Sequence, residues 1–473
     1  MIASDVFVIT GALVLLCLAH WRAGVVATLL FGFALDPMRK LVSGEPLYFN
    51  VLIFVLVGAT LLGARRRGVP LSLKPVFARS SILRVPLILF LFLVAIQSLA
   101  AFARTGSPAI VAIGLVAYLA PIPGVLLGFA YARSTHDLRK LVRWYVVGVT
   151  IMAAGIYLAR AGYDWRVLDA VGVGLVAYSP TGQPLDLASG FFRAPEVAAW
   201  HLAMATCFLL MLFLSRRRIV AHIWPTAVLG LYLLVALMFT GRRKGLVEIA
   251  LFVIAYLLCL AYFRRKALKT AFLLAVLCVA AVGIFAVTES GDALGISPYY
   301  ARGASIGLEE ADRYRRFSTR ALWYTVQRNG WLGAGAGTGS QGAQYFGGGP
   351  SLVGHSAEGG LGKVVAELGL PGLVILLALG VALARYLWGV ARETGRGGGY
   401  RRVRYAYGLI AFLFANAVMF AVAHQIFGDP LVLYMIGFVL GMAFAIPTMR
   451  DGARPRHRER RPAQDARPGG IRR

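Results

Sequence analysis

The sequence predicts an all-α fold: a polytopic membrane helical bundle of about 12–13 spans, with a large extracytoplasmic loop between two late spans. Hydrophobic residues make up 59% of the 473 residues and charged residues 15%, and the mean hydropathy is +0.71. Soluble domains usually contain about 45–50% apolar and about 25% charged residues, so no ordinary core could bury this excess. Apolar runs long enough to cross a bilayer recur along the whole chain. A soluble enzyme with a single anchor is therefore excluded.

The order of apolar runs and basic clusters predicts the topology. Calling the basic clusters cytoplasmic places the N-terminus outside and the C-terminus inside, although Arg39 and Lys40 then fall outside as an exception. Residues 1–288 and 363–448 form the membrane bundle, residues 289–362 the extracytoplasmic catalytic loop, and residues 449–473 a basic cytoplasmic tail. Spans are expected near 5–20, 23–36, 50–64, 85–103, 109–131, 144–161, 197–214, 222–240, 246–262, 270–288, 364–388, 408–424 and 431–448.

The formal net charge of +28 limits the partners. In a soluble chain this excess would suggest nucleic acid, but here the basic residues stand in short clusters between apolar spans, as in cytoplasmic loops of membrane proteins. Membrane lipids are therefore the expected partner of these charges, and nucleic acid is not. The four cysteines all lie in apolar spans without a CxxC pair, which argues against disulfides and zinc sites.

One basic cluster lies on the wrong side of the predicted membrane. The stretch from Arg216 to Lys266 is basic and cytoplasmic at both ends, and its apolar part is long enough for two spans. The cations Arg242, Arg243 and Lys244 then occupy the external turn of a hairpin. Cations beside glycines suit a phosphate or diphosphate group, whereas the alternative is a cluster that snorkels to lipid headgroups.

The long external loop carries a second group of arginines. Arg313, Arg316 and Arg320 are spaced three and four residues apart, so a helix would place them on one face. Glu309 and Asp312 precede the first two by four residues, which leaves Arg320 the most available to an outside anion. The alternative is an amphipathic helix that lies on the membrane surface.

Two further features of this loop bear on its chemistry. The segment from Gly337 to Gly342 matches GxGxxG, but without a preceding strand and a following helix it does not predict a dinucleotide site. A flexible segment that adapts to a substrate chain is expected instead. His355 lies among glycines, with Glu358 close enough to orient it, and a histidine can accept a proton from an attacking sugar hydroxyl.

Taken in order, these motifs resemble the O-antigen ligase and O-antigen polymerase superfamily of bacterial membrane glycosyltransferases. The resemblance covers roughly residues 189–388, and it rests on order and spacing because no single motif is specific. The matching segments are Ser189 to Pro195, Thr240 to Gly245, Arg320 to Trp323 followed by Gly330 to Gly335, His355, and Ala366 to Leu373. Glu358 stands where the family usually has a His-Asn pair, so whether His355 or Glu358 acts as the base is left open.

The resemblance implies a reaction at the outer face of the cytoplasmic membrane. The donor is a glycan on a polyprenyl diphosphate, the acceptor a glycan, lipid or protein hydroxyl, and neither a metal nor a nucleotide cofactor is needed. A chain-length regulator is a possible further partner. Arg242 and Arg320 would grip the diphosphate and His355 or Glu358 would activate the acceptor. The remaining expected diphosphate-binding residues are Arg193, Arg243, Lys244 and Arg316.

The sequence does not separate a polymerase from a ligase, since both would use the same donor site. A transporter or flippase for lipid-linked sugars is an alternative from another class, and a non-catalytic scaffold of a polysaccharide export complex is a third. The spans are almost free of charge and the unusual cations crowd the outer side, a pattern that favours chemistry at one face over passage across the membrane.

Overall fold

The computed structural model describes residues 3–171, 177–178, 184–215, 222–263, 321–340, 343 and 359–449. This part of the chain is helical apart from short connections and one two-residue antiparallel ribbon, β1 (Ala177–Tyr178) with β2 (Pro184–Leu185). The helices are α1 (Ala3–Ala19), α2 (Trp21–Leu41), α3 (Val51–Arg66), α4 (Lys74–Arg79), α5 (Arg84–Thr105), α6 (Pro108–Leu119), α7 (Pro121–Tyr131), α8 (Thr135–Arg160), α9 (Pro195–Leu214), α10 (Ile223–Phe239), α11 (Arg243–Phe263), α12 (Ala321–Asn329), α13 (Gly360–Gly397), α14 (Tyr400–Val422) and α15 (Pro430–Ala445).

The predicted multi-pass membrane architecture is confirmed. Within the described residues, nine helical segments are long and apolar enough to cross a membrane, and α1 and α10 are shorter apolar helices. Every predicted span except the one near 270–288 coincides with a described helix, and α6 and α7 together form one such segment. The span near 270–288 and most of the loop at 289–362 lie outside the described residues.

The long apolar helices, with α6 and α7 taken as one segment, run alternately between two ends of the bundle. At one end, Arg402 Nη2 donates to Pro447 O over 2.7 Å and Tyr400 Oη to Leu214 O over 3.1 Å. At the other end, the chain before α9 meets the α10–α11 turn, where Ala188 N donates to Phe239 O over 3.1 Å. We name these the Arg402 end and the Arg193 end. The basic residues at 65–67, 139–143 and 401–404 all lie at the Arg402 end, so these clusters share one side of the bundle, as the predicted topology requires.

Helix α9 is the centre of the bundle. It is apolar on every side, and 94% of its membrane-length window is buried inside the protein, whereas only 28% of the α5 segment is. A helix without a polar face is stable only where other helices surround it, and α8, α10, α11 and α14 do so here. The residues directly before α9 are thereby held at a fixed place at the Arg193 end.

Helices α7 and α15 pack backbone to backbone through two pairs of glycines. Gly124 and Gly128 on α7 face Gly437 and Gly441 on α15, each pair with the small-xxx-small spacing of close helix contacts in membranes. A Cβ on Gly437 would lie 2.0 Å from the carbonyl oxygen of Pro121, and one on Gly128 would lie 2.2 Å from that of Phe438. No side chain larger than a hydrogen atom fits at this crossing.

Helix α13 is broken at Gly369, which has a left-handed φ of +71°. The segment Gly330–Ser340, named here the glycine-rich segment, supplies partners for the backbone at the break. Ala334 N donates to Ala366 O over 2.7 Å, and Leu370 N donates to Trp331 O over 2.9 Å. Irregular backbone at membrane depth is stable only where protein satisfies it in this way. The expectation of a flexible segment is wrong for residues 333–340, because they are largely buried against α5, α6 and α13.

Candidate functional site

The segment before α9 brings the predicted arginines to the Arg193 end. Gly190 has a φ of +55°, and a Cβ there would lie 2.4 Å from the backbone nitrogen of Ile156, so only glycine lets the chain lie against α8. Gly241 has a φ of +63° in the turn between α10 and α11. These two glycines allow the Ser189–Pro195 segment and the Thr240–Gly245 turn to lie side by side. The predicted hairpin is confirmed, because the turn joins α10 to α11.

Arg193 is held between two carboxylates from distant parts of the chain. Its guanidinium forms an ion pair with Asp429, and its backbone nitrogen donates to Asp36 Oδ2 over 3.0 Å. Burial acts to lower the pKa of Arg193, but the two carboxylates outweigh it and raise that pKa above its ordinary value. Asp429 also caps α15 by accepting from Val432 N over 2.8 Å. Arg193 therefore ties α2, α9 and α15 together.

Lys40, on α2, holds the same segment in place through its side-chain ammonium group. Its side chain is 1% exposed, and Nζ donates to the carbonyl oxygens of Phe192 over 2.6 Å, Gly190 over 2.7 Å and Val167 over 3.1 Å. An ammonium group has three donors, and here each one has a backbone acceptor. This contact explains one of the two exceptions in the charge pattern, because Lys40 is a buried structural cation. The other exception, Arg39, is 4% exposed and donates from Nε to Glu45 O over 2.9 Å.

We expect Lys40→Met to lower the stability of the bundle markedly. The change leaves two buried carbonyl groups and one part-buried carbonyl group without this donor, and each unsatisfied buried group costs about 1–3 kcal/mol. The loss is measured as the shift in the thermal midpoint of the monodisperse peak in size-exclusion chromatography. Lys74→Met is the matched control, because Lys74 is exposed at the Arg402 end. Equal midpoints for the two variants would contradict the assignment.

Arg242 lies across the hairpin turn against the first turn of α9. Its guanidinium forms an ion pair with Glu196, with side chains 18% and 29% exposed. Its Nε is buried and has no hydrogen-bond partner among the described residues. Burial lowers the pKa of Arg242, and Glu196 opposes that effect. A buried donor without a partner is costly, so the site favours an acceptor there.

Arg243 and Lys244 complete the hairpin turn. Arg243 is the first residue of α11 and is half-buried, whereas Lys244 is exposed and donates to Gln425 Oε1 over 3.0 Å. We name Asp36, Lys40, Arg193, Glu196, Arg242 and Asp429 the charged cluster. Its three cations and three carboxylates balance formally. The positive charge of the hairpin beside it therefore comes from Arg243 and Lys244.

Glu367 pins the glycine-rich segment to the same end of the bundle. Its side chain is fully buried, Oε2 accepts from Tyr118 Oη over 2.6 Å, and Oε1 accepts from Gly339 N over 3.1 Å. Lys363 Nζ lies 4.0 Å from the same carboxylate. Two neutral donors thus hydrogen-bond a carboxylate that would be expensive to bury alone, and the ammonium of Lys363 offsets its charge. Glu367 fixes where the chain leaves the glycine-rich segment toward residues 341–358.

The structure brings together Arg193, Arg242, Arg243 and Lys244 from the set predicted by sequence. Arg316, Arg320, His355 and Glu358 lie outside the described residues. Sequence reasoning missed the carboxylates that hold the arginines. The signals were present: Glu196 follows Pro195 at a helix start, and Asp429 precedes Pro430 as a helix cap. Over the described ranges, no group of three or more His, Cys, Asp or Glu residues could hold a metal ion.

These features define a multi-pass helical membrane protein with a charged cluster at one end of its bundle. No known protein family matches its sequence. No curated protein matches it either. The activity must therefore be argued from the site itself and from the motifs of the sequence.

Proposed function

We propose that this protein is a membrane glycosyltransferase that moves a glycan from a polyprenyl-diphosphate carrier to an acceptor hydroxyl, as a surface-polysaccharide polymerase or ligase. The observation that supports it most is Arg242: a half-buried guanidinium at a helix hairpin, paired with Glu196 and with a buried Nε that has no partner among the described residues. Two further cations follow it directly in the turn. This arrangement suits a diphosphate better than a single carboxylate.

The reaction needs a group that stabilises the departing diphosphate. The acceptor oxygen attacks the anomeric carbon, the bond from that carbon to the diphosphate oxygen breaks, and the hydroxyl proton passes to a base. His355 and Glu358 are the residues proposed for the base. The diphosphate gains negative charge as it leaves, so a guanidinium already in place stabilises the transition state more than the ground state. Arg242 is proposed for this role, with Arg243, Lys244, Arg316 and Arg320 beside it.

The charge distribution supports an outer location for the site. The described basic clusters at 65–67, 139–143 and 401–404 belong to the Arg402 end. The positive-inside rule assigns such clusters to the cytoplasm. The Arg193 end, with the hairpin and the charged cluster, then faces outward at the cytoplasmic membrane, where lipid-linked glycans are presented to this class of enzyme.

A specific observation favours a second candidate, a transporter for lipid-linked sugars. Glu248 is 2% exposed inside the bundle and accepts from Asn416 Nδ2 over 2.9 Å, while Asn416 Oδ1 accepts from Trp200 Nε1 over 2.9 Å. Ionisable residues within membrane spans often mark transport pathways. Glu248 lies only about 8 Å along α11 from the hairpin turn, so it also fits a site at one face.

The test of the proposal is transfer by the purified protein. Reconstituted protein is given a polyprenyl-diphosphate oligosaccharide together with an acceptor, without nucleotide and with EDTA present. We expect longer or transferred glycan chains and release of the polyprenyl diphosphate. Movement of the labelled lipid to the opposite leaflet without any new glycosidic bond would overturn the proposal in favour of the transporter. Absence of both in protein that is folded and monodisperse would favour the scaffold.

A further inference from the structure

Three arginines converge at the Arg402 end of the bundle, opposite the charged cluster. Arg139 and Arg143 lie one turn apart near the start of α8, and Arg401 lies at the start of α14. All three interact electrostatically with the hydroxyl of Tyr405, which is 1% exposed, and Arg139 also interacts with the other two arginines. Because α8 and α14 are far apart in the sequence, the fold brings these charges together. We name Arg139, Arg143 and Arg401 the arginine site.

The ends of three helices hold the arginine site in place. Ser215 Oγ, directly after α9, donates to Tyr405 Oη over 3.4 Å. Tyr400 Oη, at the start of α14, donates to Leu214 O over 3.1 Å. Helix α14 also packs along both α8 and α9. The backbones that carry the three guanidinium groups are therefore already in position, which lowers the entropic cost of binding a ligand between them.

The positive charge of the arginine site has no carboxylate opposite it. Among the described residues, the carboxylates at the Arg402 end are Asp137 and Glu393. Asp137 forms an ion pair with Arg22 over 3.0 Å, and Glu393 forms one with Arg79 over 3.1 Å. Within the described ranges, the three arginines of the site have no ion pair of their own. Their like charges repel each other, so an anion bound between them would be stabilised.

The sequences that adjoin this end of the bundle add positive charge and cannot neutralise the site. Residues 449–473 follow the last helices and contain nine arginines and three carboxylates. Residues 216–218, which follow α9, are three further arginines. Charge complementarity therefore points to an anion that comes from outside the chain.

Helix α8 continues from the arginine site as an apolar surface. Four residues spaced four apart lie along one side of the helix, namely Arg139, Arg143, Val147 and Ile151. Val147 is 48% exposed and Ile151 62% exposed, and Trp144 beside Arg143 is 41% exposed. Tryptophans concentrate where hydrocarbon meets headgroups. The arginine site thus lies at headgroup level with a surface for acyl chains next to it, which favours an anionic lipid over a soluble anion.

We propose that the arginine site binds a lipid with two phosphate groups in the cytoplasmic leaflet, of which cardiolipin is the common example. Guanidinium groups bind phosphate oxygens in pairs, and the single charge of an ordinary anionic phospholipid would leave most of the charge of three arginines unbalanced. Two phosphates joined by one glycerol match arginines that come from two helices. Basic pockets between membrane helices on the cytoplasmic side take such headgroups. The site lies at the end opposite the charged cluster, so this inference does not depend on the proposed function.

The test is a titration of the full-length protein in detergent with cardiolipin, followed by native mass spectrometry. Combining Arg143→Gln with Arg401→Gln removes one guanidinium from each helix and should weaken binding at least about tenfold. The matched control combines Arg65→Gln with Arg66→Gln, which removes two exposed charges at the same end from adjacent positions of one helix, where they point in different directions. The control should bind within about twofold of the unchanged protein. Equal binding by the two double variants, whether strong or weak, would overturn the proposal.

Competition experiments test the two phosphates and the lipid separately. Phosphatidylglycerol at twice the molar concentration supplies the same amount of phosphate in single-phosphate headgroups, and we expect cardiolipin to remain bound at least about tenfold more tightly. Displacement of cardiolipin at equal phosphate would show a surface for any anionic phospholipid and overturn the proposal. Inorganic pyrophosphate carries two phosphates without acyl chains, and we expect it not to displace cardiolipin at equal concentration. Displacement by pyrophosphate would show a site for soluble anions and would also overturn the proposal.

Discussion

Arg242→Ala is expected to lower glycan transfer by about 10²–10³-fold, the usual cost of removing one prepositioned charge-stabilising donor. The guanidinium lies at the hairpin turn against Glu196, where a departing diphosphate would gather charge. Arg242→Lys should recover only part of the activity, because an ammonium lacks the planar fork that binds two oxygens at once. The measurement is the initial rate of transfer by purified, reconstituted protein from the polyprenyl-diphosphate oligosaccharide.

A second variant separates this role from a structural one. If Arg242 only neutralises Glu196, then combining Arg242→Ala with Glu196→Gln should restore transfer by removing the unpaired carboxylate. If Arg242 contacts the diphosphate, the double variant should remain inactive. Arg79→Ala is the matched control, because Arg79 forms an exposed ion pair with Glu393 at the Arg402 end. Such exposed pairs contribute about 0–1 kcal/mol, so this control should retain normal transfer.

Gly437→Leu should prevent stable assembly of the bundle, with a loss of more than about 4 kcal/mol. The new Cβ would lie 2.0 Å from Pro121 O, a backbone atom that cannot turn aside, so α7 and α15 would have to separate along their length. The loss is measured as the fraction of monodisperse protein that remains after heating in detergent. Replacement of Gly128 on the opposite helix should have a similar effect.

The matched control for this change is Gly380→Leu. Gly380 lies within α13 and a Cβ there would meet nothing within 4 Å, so the added side chain faces open space. We expect stability within about 0.5 kcal/mol of the unchanged protein, as for most surface substitutions. Equal losses at positions 437 and 380 would show that leucine is harmful in itself, and that the close helix crossing does not determine the result.

Hydropathy predicted the helices well because each membrane span is a local property of the sequence. The α10–α11 hairpin followed from two basic ends and the length between them, and the structure confirms it. The pairing of helices was not predictable in the same way. Gly124 and Gly437 are far apart in sequence, and nothing local to either one identifies the other as its partner. Long-range packing therefore had to come from the structure.

The same limit applies to the site. The sequence singled out Arg242 because cations on the unexpected side of a membrane are conspicuous, and it singled out Arg193 through the family resemblance of the Ser189–Pro195 segment. It did not identify the carboxylates opposite them, since Asp36 and Asp429 approach Arg193 from the ends of two distant helices. Glu196 would have been easier to predict, because it lies in the first turn of α9, within reach of the α10–α11 turn. Sequence reasoning thus located the cations of the site but not the carboxylates that pair with them.

Asp429 has a mechanical consequence for the whole molecule. The same carboxylate caps the start of α15 and forms an ion pair with Arg193, and α15 packs against α7 through backbone atoms. Loss of the N-cap hydrogen bond that Asp429 makes to α15 would cost about 1 kcal/mol. In addition, α15 cannot slide along α7 without a steric clash between their backbones. The charged cluster is therefore held by the close-packed pair of helices α7 and α15, and any conformational change at the Arg193 end must come from parts of the chain outside that pair.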